Sequence, residues 1–378
     1  MYFSDIEGKD DIKKLLIKTV EKDRIPHAQI FLGKEGAGAL PMALAYASYL
    51  ICSNKSQGDS CGHCSHCLKS HKYIHPDIHF SFPVVKFKEK KRVETTSSDF
   101  LPKWRSILSS NPNMGTREWL LHIDAENNLP NINVRECYDI MHKLNMMSYE
   151  SDKKVLIMWL PEYLHTEGNR LLKLIEEPTD NTYIILVAEN QDLILQTILS
   201  RCQLVIIPAY ENSEISQFLV KEFDIANDKA HQFASLADGN INSAIKIAGN
   251  EATDYSEMLI SWLRISFKSD PMDINEWIKG LTEMDKDEQK NFFEYGLYFF
   301  RQFIFRMLSK SKDVNLTHKE LEVASRMEKI INISKAEIIV NLLNDAIENI
   351  NRNINLKILM FSDTLAIGEV LRTNHVRD

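Results

Sequence analysis

Along the first two hundred residues, short unbroken apolar runs alternate with stretches whose apolar positions recur every three or four residues. The runs are Ala28–Leu32, Leu121–Ile123, Val155–Trp159, Tyr183–Val187 and Leu204–Ile207. They read as buried strands of a parallel sheet. Between them the spacing predicts helices at Asp10–Lys22, Leu40–Ile51, Asn133–Met147, Glu167–Glu177 and Asp192–Leu199, the order expected of βαβ units.

After Pro208 the strand signals stop. Short helices are predicted at Asn212–Glu222, Asp228–Leu236 and Ile241–Ala248, and from about Asp254 the pattern is helical almost throughout. The segment Glu288–Ser309 is apolar on most faces, with Phe292, Phe293, Leu297, Phe299, Phe300, Phe303, Ile304 and Leu308. Such a helix needs cover on several sides, from its own domain or from another subunit. Between Phe82 and Arg117 periodicity is lost. This stretch carries Lys86, Lys88, Lys90, Lys91 and Arg92 and then a Thr/Ser patch; it reads as a solvated insertion loop, with a phosphate-contacting loop as the alternative. No repeat of solenoid period is present. The chain thus divides into an α/β domain (1–208), a small helical module (209–250) and a helical C-terminal domain (254–378).

Composition narrows the class. The 378 residues are 44% hydrophobic, 26% charged and 9% aromatic, which excludes a mostly disordered chain. A balance of 45 basic against 53 acidic residues gives −8, which argues against a surface devoted wholly to gripping nucleic acid. The opening Met-Tyr-Phe-Ser-Asp-Ile-Glu lacks the apolar core of a secretory signal. The densest apolar run, Phe292 to Leu308, is broken by Glu294, Arg301 and Arg306 and does not suit a bilayer. The expectation is a soluble, cytoplasmic, multidomain protein.

Two motifs carry chemistry. Ala28 to Leu40 has the skeleton of a phosphate-binding loop, a strand running through a glycine-rich turn into a helix. A working loop is G-x-x-x-x-G-K-[ST], in which amides wrap the phosphates, Lys neutralises them and the hydroxyl ligates Mg²⁺. Gly33 and Gly38 fill the glycine positions, but Ala39 stands for the lysine and Leu40 for the hydroxyl. Lys34 lies too near the loop's start to replace Ala39. The acid that such ATPases place at the end of a second strand is also missing. It should fall near Trp159 and Leu160, and Glu162 is displaced beyond a proline. No tight Mg-ATP binding is expected.

The second motif is Cys52, Cys61, Cys64 and Cys67, spaced C-x8-C-x2-C-x2-C. Four thiolates with CxxC spacing suit a closed, structural, tetrahedral Zn²⁺ site. The interleaved His63 and His66 could compete as ligands, but four thiolates make them unnecessary. Cys202 reads as a packing residue.

These features converge with others: Arg24-Ile25-Pro26-His27-Ala28, His75-Pro76-Asp77, Asn169 through Glu176-Glu177-Pro178, and Thr197-Ile198-Leu199-Ser200-Arg201-Cys202. Together they resemble the clamp-loader branch of the AAA+ proteins, and within it the delta-prime type of bacterial DNA polymerase III. The motifs cover about residues 1 to 250; the remainder matches in helical character, including an Asn-rich helix start at Asn351 to Leu359.

The resemblance implies an AAA+ P-loop domain with a zinc-binding insertion, a helical lid and an all-α collar. It implies a subunit that hydrolyses no ATP, in a hetero-pentamer with gamma/tau and delta subunits, reaching the sliding clamp and primer-template DNA through the complex. The family's second-sensor arginine falls here at Asn242, within Gly239-Asn240-Ile241-Asn242-Ser243-Ala244. The Ser200-Arg201-Cys202 element survives. From spacing alone Arg201 is an ordinary arginine at a helix–strand junction; the resemblance makes it an arginine finger in trans, beside Ser200. The rival reading is a gamma/tau-like ATP-hydrolysing motor with Lys34 and Glu162 in the vacant roles. A plain zinc-ribbon nucleic-acid binder is a third, disfavoured by the acidic charge and the absence of interleaved aromatics.

Overall fold

The computed structural model describes residues 1–85, 94–126, 128–249, 255–284, 286–309, 316, 318–351 and 354–373. Helix α1 (Asp10–Glu21) leads into β1 (Ala28–Leu32) and, past the glycine turn, α2 (Ala39–Ile51). Then come α3 (Ser65–Ser70), β2 (Ile78–Ser81), α4 (Leu101–Ser110), α5 (Thr116–His122) and α6 (Val134–Asn145). The strands finish with β3 (Lys154–Trp159), β4 (Thr182–Ala188) and β5 (Gln203–Ile206), separated by α7 (Leu172–Glu176) and α8 (Gln196–Leu199). Among the described residues the strands form one parallel sheet in the order β2-β3-β4-β1-β5.

Successive strand residues face opposite sides of a sheet, and here both sides of β1, β3 and β4 are covered, whereas β5, expected to be buried, is an edge strand that leaves Leu204 and Ile206 exposed. Phe31, Val155, Ile157, Trp159, Ile185 and Val187 join the core built around α2, every residue of which is buried. Ala28, Ile30, Leu156, Met158, Ile184 and Leu186 pack instead with Cys137, Ile140 and Leu144 of α6. Burial on both faces is why β1, β3 and β4 are almost wholly apolar.

The structure corrects four further expectations. Leu121–Ile123 is not a strand; Leu121 belongs to α5, and one edge of the sheet is β2, whose Ile78-His79-Phe80-Ser81 pairs with Val155 to Met158. An apolar run of three to five residues has no period that separates helix from strand, and the Glu118 carboxylate accepts the Gly115 N–H at 2.8 Å, capping a helix start. The helix predicted over Glu167–Glu177 is α-helical only in α7; Pro161–Leu171 is 3₁₀ turns broken at His165 (φ 46°). Likewise Asp192–Leu199 is a 3₁₀ turn followed by the short α8.

The fourth correction concerns Phe82–Arg117, which is no solvated loop in its described part. Trp104, Ile107 and Leu108 of α4 are buried, and Trp104 stacks on Phe82 at 4.1 Å and meets Trp119 edge-on at 5.2 Å. The basic run Lys86 to Arg92 lies outside the described residues. Ser97 anchors this packed stretch from inside: its backbone N–H and hydroxyl both donate to the buried Glu136 carboxylate.

The chain resolves into two compact units, Met1–Phe218 with Ala237–Ser243, and Leu219–Leu236 with Ala244–Asp378. Between β5 and the C-terminus run α9 (Asn212–Phe223), α10 (Asn227–Ala237), α11 (Ile241–Gly249), α12 (Tyr255–Lys268), α13 (Pro271–Glu283), α14 (Lys286–Ser309), α15 (His318–Met327), α16 (Ile333–Asn351) and α17 (Leu356–Arg372). The aromatic α14 is covered within its own unit: Phe292, Phe293, Phe299, Phe300 and Phe303 are buried, while Leu308 is exposed. Trp262 and Trp277 stack beside Phe292, and the Trp262 indole N–H donates to Thr364 Oγ1 at 2.8 Å. Among the described residues, no helix is long and apolar enough to cross a membrane.

Candidate functional site

At the end of β1 the Gly33 N–H donates to the Ala188 carbonyl at 3.0 Å, and the chain turns through Gly36 and Gly38 into α2. Both glycines have positive φ, 73° and 87°. A Cβ on Gly36 would strike Asn240, and one on Gly38 would lie 2.4 Å from the Tyr210 hydroxyl, so backbone freedom and close approach both demand glycine. Asn240 and its neighbours brace the turn: Ile241 N–H donates to the Gly36 carbonyl at 3.1 Å. Asn242, at the second-sensor position, accepts from Asn111 Nδ2 at 2.8 Å and donates to Glu118 at 3.1 Å.

The space over the turn is nearly full. Pro112, Asn113 and Met114, from the packed stretch after β2, line it together with Ala39, Leu40 and Trp159. About 20 Å³ remains open to the centre of a water molecule, room for roughly one water. Ala39 and Leu40 are themselves buried in the core, while Lys34 is exposed at the rim.

Acids crowd this place. Burial first, then the carboxylates of Glu35, Glu162 and Glu118, push the Glu189 carboxyl up to about 8. Burial also raises Glu162, against the backbone N–H groups of Glu189 (2.6 Å) and Asn190 (2.8 Å) that donate to its Oε1. Glu162 therefore ties the end of β3 to the end of β4. A helix N-terminus still points into the site, but the one cation lining it among the described residues, Lys34, stands exposed at the rim, and the other ionisable side chains lining it, Glu35 and Glu189, are acids, unsuited to phosphate.

The four cysteines do come together. Cys52 closes α2, and Cys64 caps α3, where its sulfur accepts the Cys67 N–H at 3.4 Å. The N–H groups of Cys61 and Cys64 similarly point at Cys52 and Cys61 sulfurs, at 3.3 and 3.4 Å. All four Sγ atoms lie within 4.8 Å of one another, and those of Cys61 and Cys67 are 3.9 Å apart. A tetrahedron with metal–sulfur bonds of about 2.3 Å has sulfurs about 3.8 Å apart, so the donor set fits one ion held by four thiolates.

His63 faces away, its Nδ1 2.8 Å from the Cys61 carbonyl. His66 instead meets His75 at 2.9 Å, with Glu150 nearby. That trio does not read as a second metal site. The Asp77 N–H donates to His75 Nδ1 at 3.1 Å, so neutral His75 carries its proton on Nε2 and donates it to His66. Cys202 is remote from the cluster and packs against the α6 side of the sheet.

Ser200 and Arg201 stand at the α8–β5 junction. Ser200 is exposed; the Arg201 guanidinium donates to Glu176 at 3.2 Å and to the Thr197 carbonyl at 3.0 Å. One residue that local pattern cannot reveal is Asp77. Its carboxylate accepts the backbone N–H groups of Tyr149, Glu150 and Ser151 at 2.5 to 2.9 Å. Burial alone would raise it, but these donors outweigh burial and hold it below the usual carboxylate range. His75-Pro76-Asp77 thus fastens the start of β2 to the approach to β3.

Residues 8–211 match the family described as DNA polymerase III, delta subunit. The chain is similar to DNA polymerase III subunit delta' of Bacillus subtilis, 24% identical over 241 residues, covering 64% of this chain and 59% of the relative. It is 23% identical over 283 residues to the delta' subunit of Escherichia coli, covering 74% of this chain and 70% of the relative. The gamma/tau subunit of Mycoplasma pneumoniae is 25% identical over 261 residues, which span 68% of this chain and 31% of the relative. Among solved structures, a DNA polymerase III gamma subunit-related protein of Thermotoga maritima aligns with 96% of this chain and 100% of its own, at TM-score 0.42 and 14% identity.

Proposed function

The chain belongs to the DNA polymerase III delta-subunit family, and from that premise we propose that it is a clamp-loader subunit that hydrolyses no ATP and lends an arginine to a neighbour's ATP site. In this reading it assembles with gamma/tau and delta subunits in a hetero-pentamer of the polymerase III holoenzyme, in the cytoplasm. Residues 1–208 form the AAA+ domain, 209–250 the lid and 254–378 the collar. The sliding clamp and primer-template DNA are met through the complex.

The observation that carries the reading is the state of the glycine turn. A triphosphate needs cations and room; here Glu189 and Glu35 line a space of about 20 Å³ bounded by Pro112 to Met114, with Lys34 at its exposed rim and Glu118 and Glu162 near enough to act on Glu189. The motor reading requires Lys34 and Glu162 to act on nucleotide. Lys34 is exposed, and Glu162 is buried with Oε1 engaged by two backbone donors. Both features favour a fixed scaffold.

Arg201 is half-exposed just before β5, which in this reading leaves it open to a neighbour's phosphates. Its planar, permanently charged fork suits a transferring phosphoryl group, and Ser200 shapes the same turn. The cysteine module would hold Zn²⁺ through Cys52, Cys61, Cys64 and Cys67. When bound, the ion would cross-link the end of α2 to α3, a structural role with no open coordination position.

Two measurements test the proposal together. Titration of the isolated chain with Mg-ATP should give no heat, and Arg201→Ala should leave assembly intact while lowering the DNA-stimulated ATPase of the reconstituted complex by 10-fold or more, on the order of trans-arginine effects. Turnover unchanged by the substitution would remove Arg201 from the site.

A further inference from the structure

The helical unit contains a groove that neither the glycine turn nor Arg201 uses. It lies among α12, α15 and the turn after α15, with a volume of about 380 Å³, within the range of clefts that take a ligand. Its floor is apolar. Phe267 and Ile330 are each 47% exposed there, beside the half-buried Met327. Apolar side chains left half open to water are stabilised by being covered, so the groove gains from an occupant.

The rim says which. Arg264 and Lys268 stand one turn apart on α12, and Arg326 rises from α15 on the other side; no acid among the described residues lines the groove. Arg326 is paired with Glu322 and still 74% exposed, while neither Arg264 nor Lys268 has an acidic partner among the described residues. In a chain of net charge −8, a cleft whose charged lining among the described residues is Arg264, Lys268 and Arg326 is a local reversal of sign. Cations on two helices flanking an apolar floor match acids spaced along a ligand better than a single head group. We propose that this groove is a docking site for an acidic amphipathic helix of a partner protein, with apolar side chains at i, i+3/i+4 and i+7 on the floor and Asp or Glu meeting the rim.

The test uses the full chain and a fluorescein-labelled peptide about four turns long, with Leu and Phe at the floor positions and Glu elsewhere. A Lys-for-Glu version and dodecanoate are the controls. The Glu peptide should raise anisotropy saturably, and Arg264→Glu with Lys268→Glu should weaken it about 10-fold or more, the size expected of charge pairs at an interface. Phe267→Asp should do the same, with melting temperature and circular dichroism confirming that each variant folds. Equal binding of the Lys peptide, no binding of the Glu peptide, or binding of dodecanoate in its place would each overturn the proposal. Because Arg201 and the glycine turn take no part, failure here leaves the clamp-loader reading standing, and its failure leaves this one.

Discussion

Arg201 donates from Nε to the Glu176 carboxylate at 3.2 Å, which links the start of β5 to the end of α7. The pair is exposed, with 33% and 56% of the two side chains open to solvent, so it adds little to stability, about 0–1 kcal/mol. Its effect is to fix where the guanidinium points. Glu176→Gln should therefore leave the melting temperature unchanged and lower the ATPase of the reconstituted complex several-fold, less than Arg201→Ala. A double variant no worse than Arg201→Ala would show that Glu176 acts through the arginine; additive losses would show that it does not.

The cysteine module should carry one zinc per chain, countable by plasma mass spectrometry. Cys64→Ser removes both a ligand and the cap of α3, whose sulfur receives the Cys67 N–H. Loss of bound metal and a fall of several kcal/mol, on the order of 10 °C in Tm, are expected for that variant and for protein refolded in chelator. His63→Ala should retain the metal, since that ring faces the Cys61 carbonyl. A variant at Cys64 with full metal content and wild-type melting would exclude the four-thiolate set.

Much of this was readable from residue order, and the limits have physical causes. β1, β3 and β4 were legible because burial on both faces leaves an uninterrupted apolar run, and the resemblance to the delta-prime subunits is borne out by the delta-subunit family match over residues 8–211 together with the delta' relatives. β2 was missed because Ile78-His79-Phe80-Ser81 is too short and too polar to stand out from its surroundings. The four-cysteine spacing pointed to neighbours that do lie within 4.8 Å. Contacts between distant residues leave no local trace. Nothing in the aperiodic run to Arg117 signals that Pro112–Met114 reaches the glycine turn, or that Asp77 gathers three N–H groups from Tyr149 to Ser151.

The crowding of acids at the glycine turn has a pH signature. The Glu189 carboxyl is raised to about 8, by burial and then by Glu35, Glu162 and Glu118, against about 4.3 in an unfolded chain. The folded state holds the proton more tightly, so the stability it contributes is complete below the ordinary glutamate range and is lost as pH rises through about 8. Melting temperature should fall between pH 5 and pH 9, by an amount worth about 1–3 kcal/mol from this group. Glu189→Gln should flatten that slope and stabilise the protein at the alkaline end. An unchanged slope in the variant would assign the pH dependence elsewhere.

The same crowding predicts what happens when the missing loop residues are put back. Ala39→Lys with Leu40→Thr restores the G-x-x-x-x-G-K-T pattern, and if sequence pattern alone governed nucleotide binding it would restore affinity. The surroundings argue otherwise. Ala39 and Leu40 are buried, with Pro112 to Met114 bounding the same space. A lysine introduced there has Glu189 within the same pocket; the cation would draw the proton off that carboxyl and pair with it before any phosphate arrived. Room for roughly one water cannot admit three phosphates and a metal ion. The double variant should show no Mg-ATP binding at micromolar concentrations by calorimetry. It should lose about 1–3 kcal/mol of stability from over-packing. Micromolar binding in that variant would mean that the Pro112–Met114 segment gives way, and that the loss of two side chains alone emptied the site.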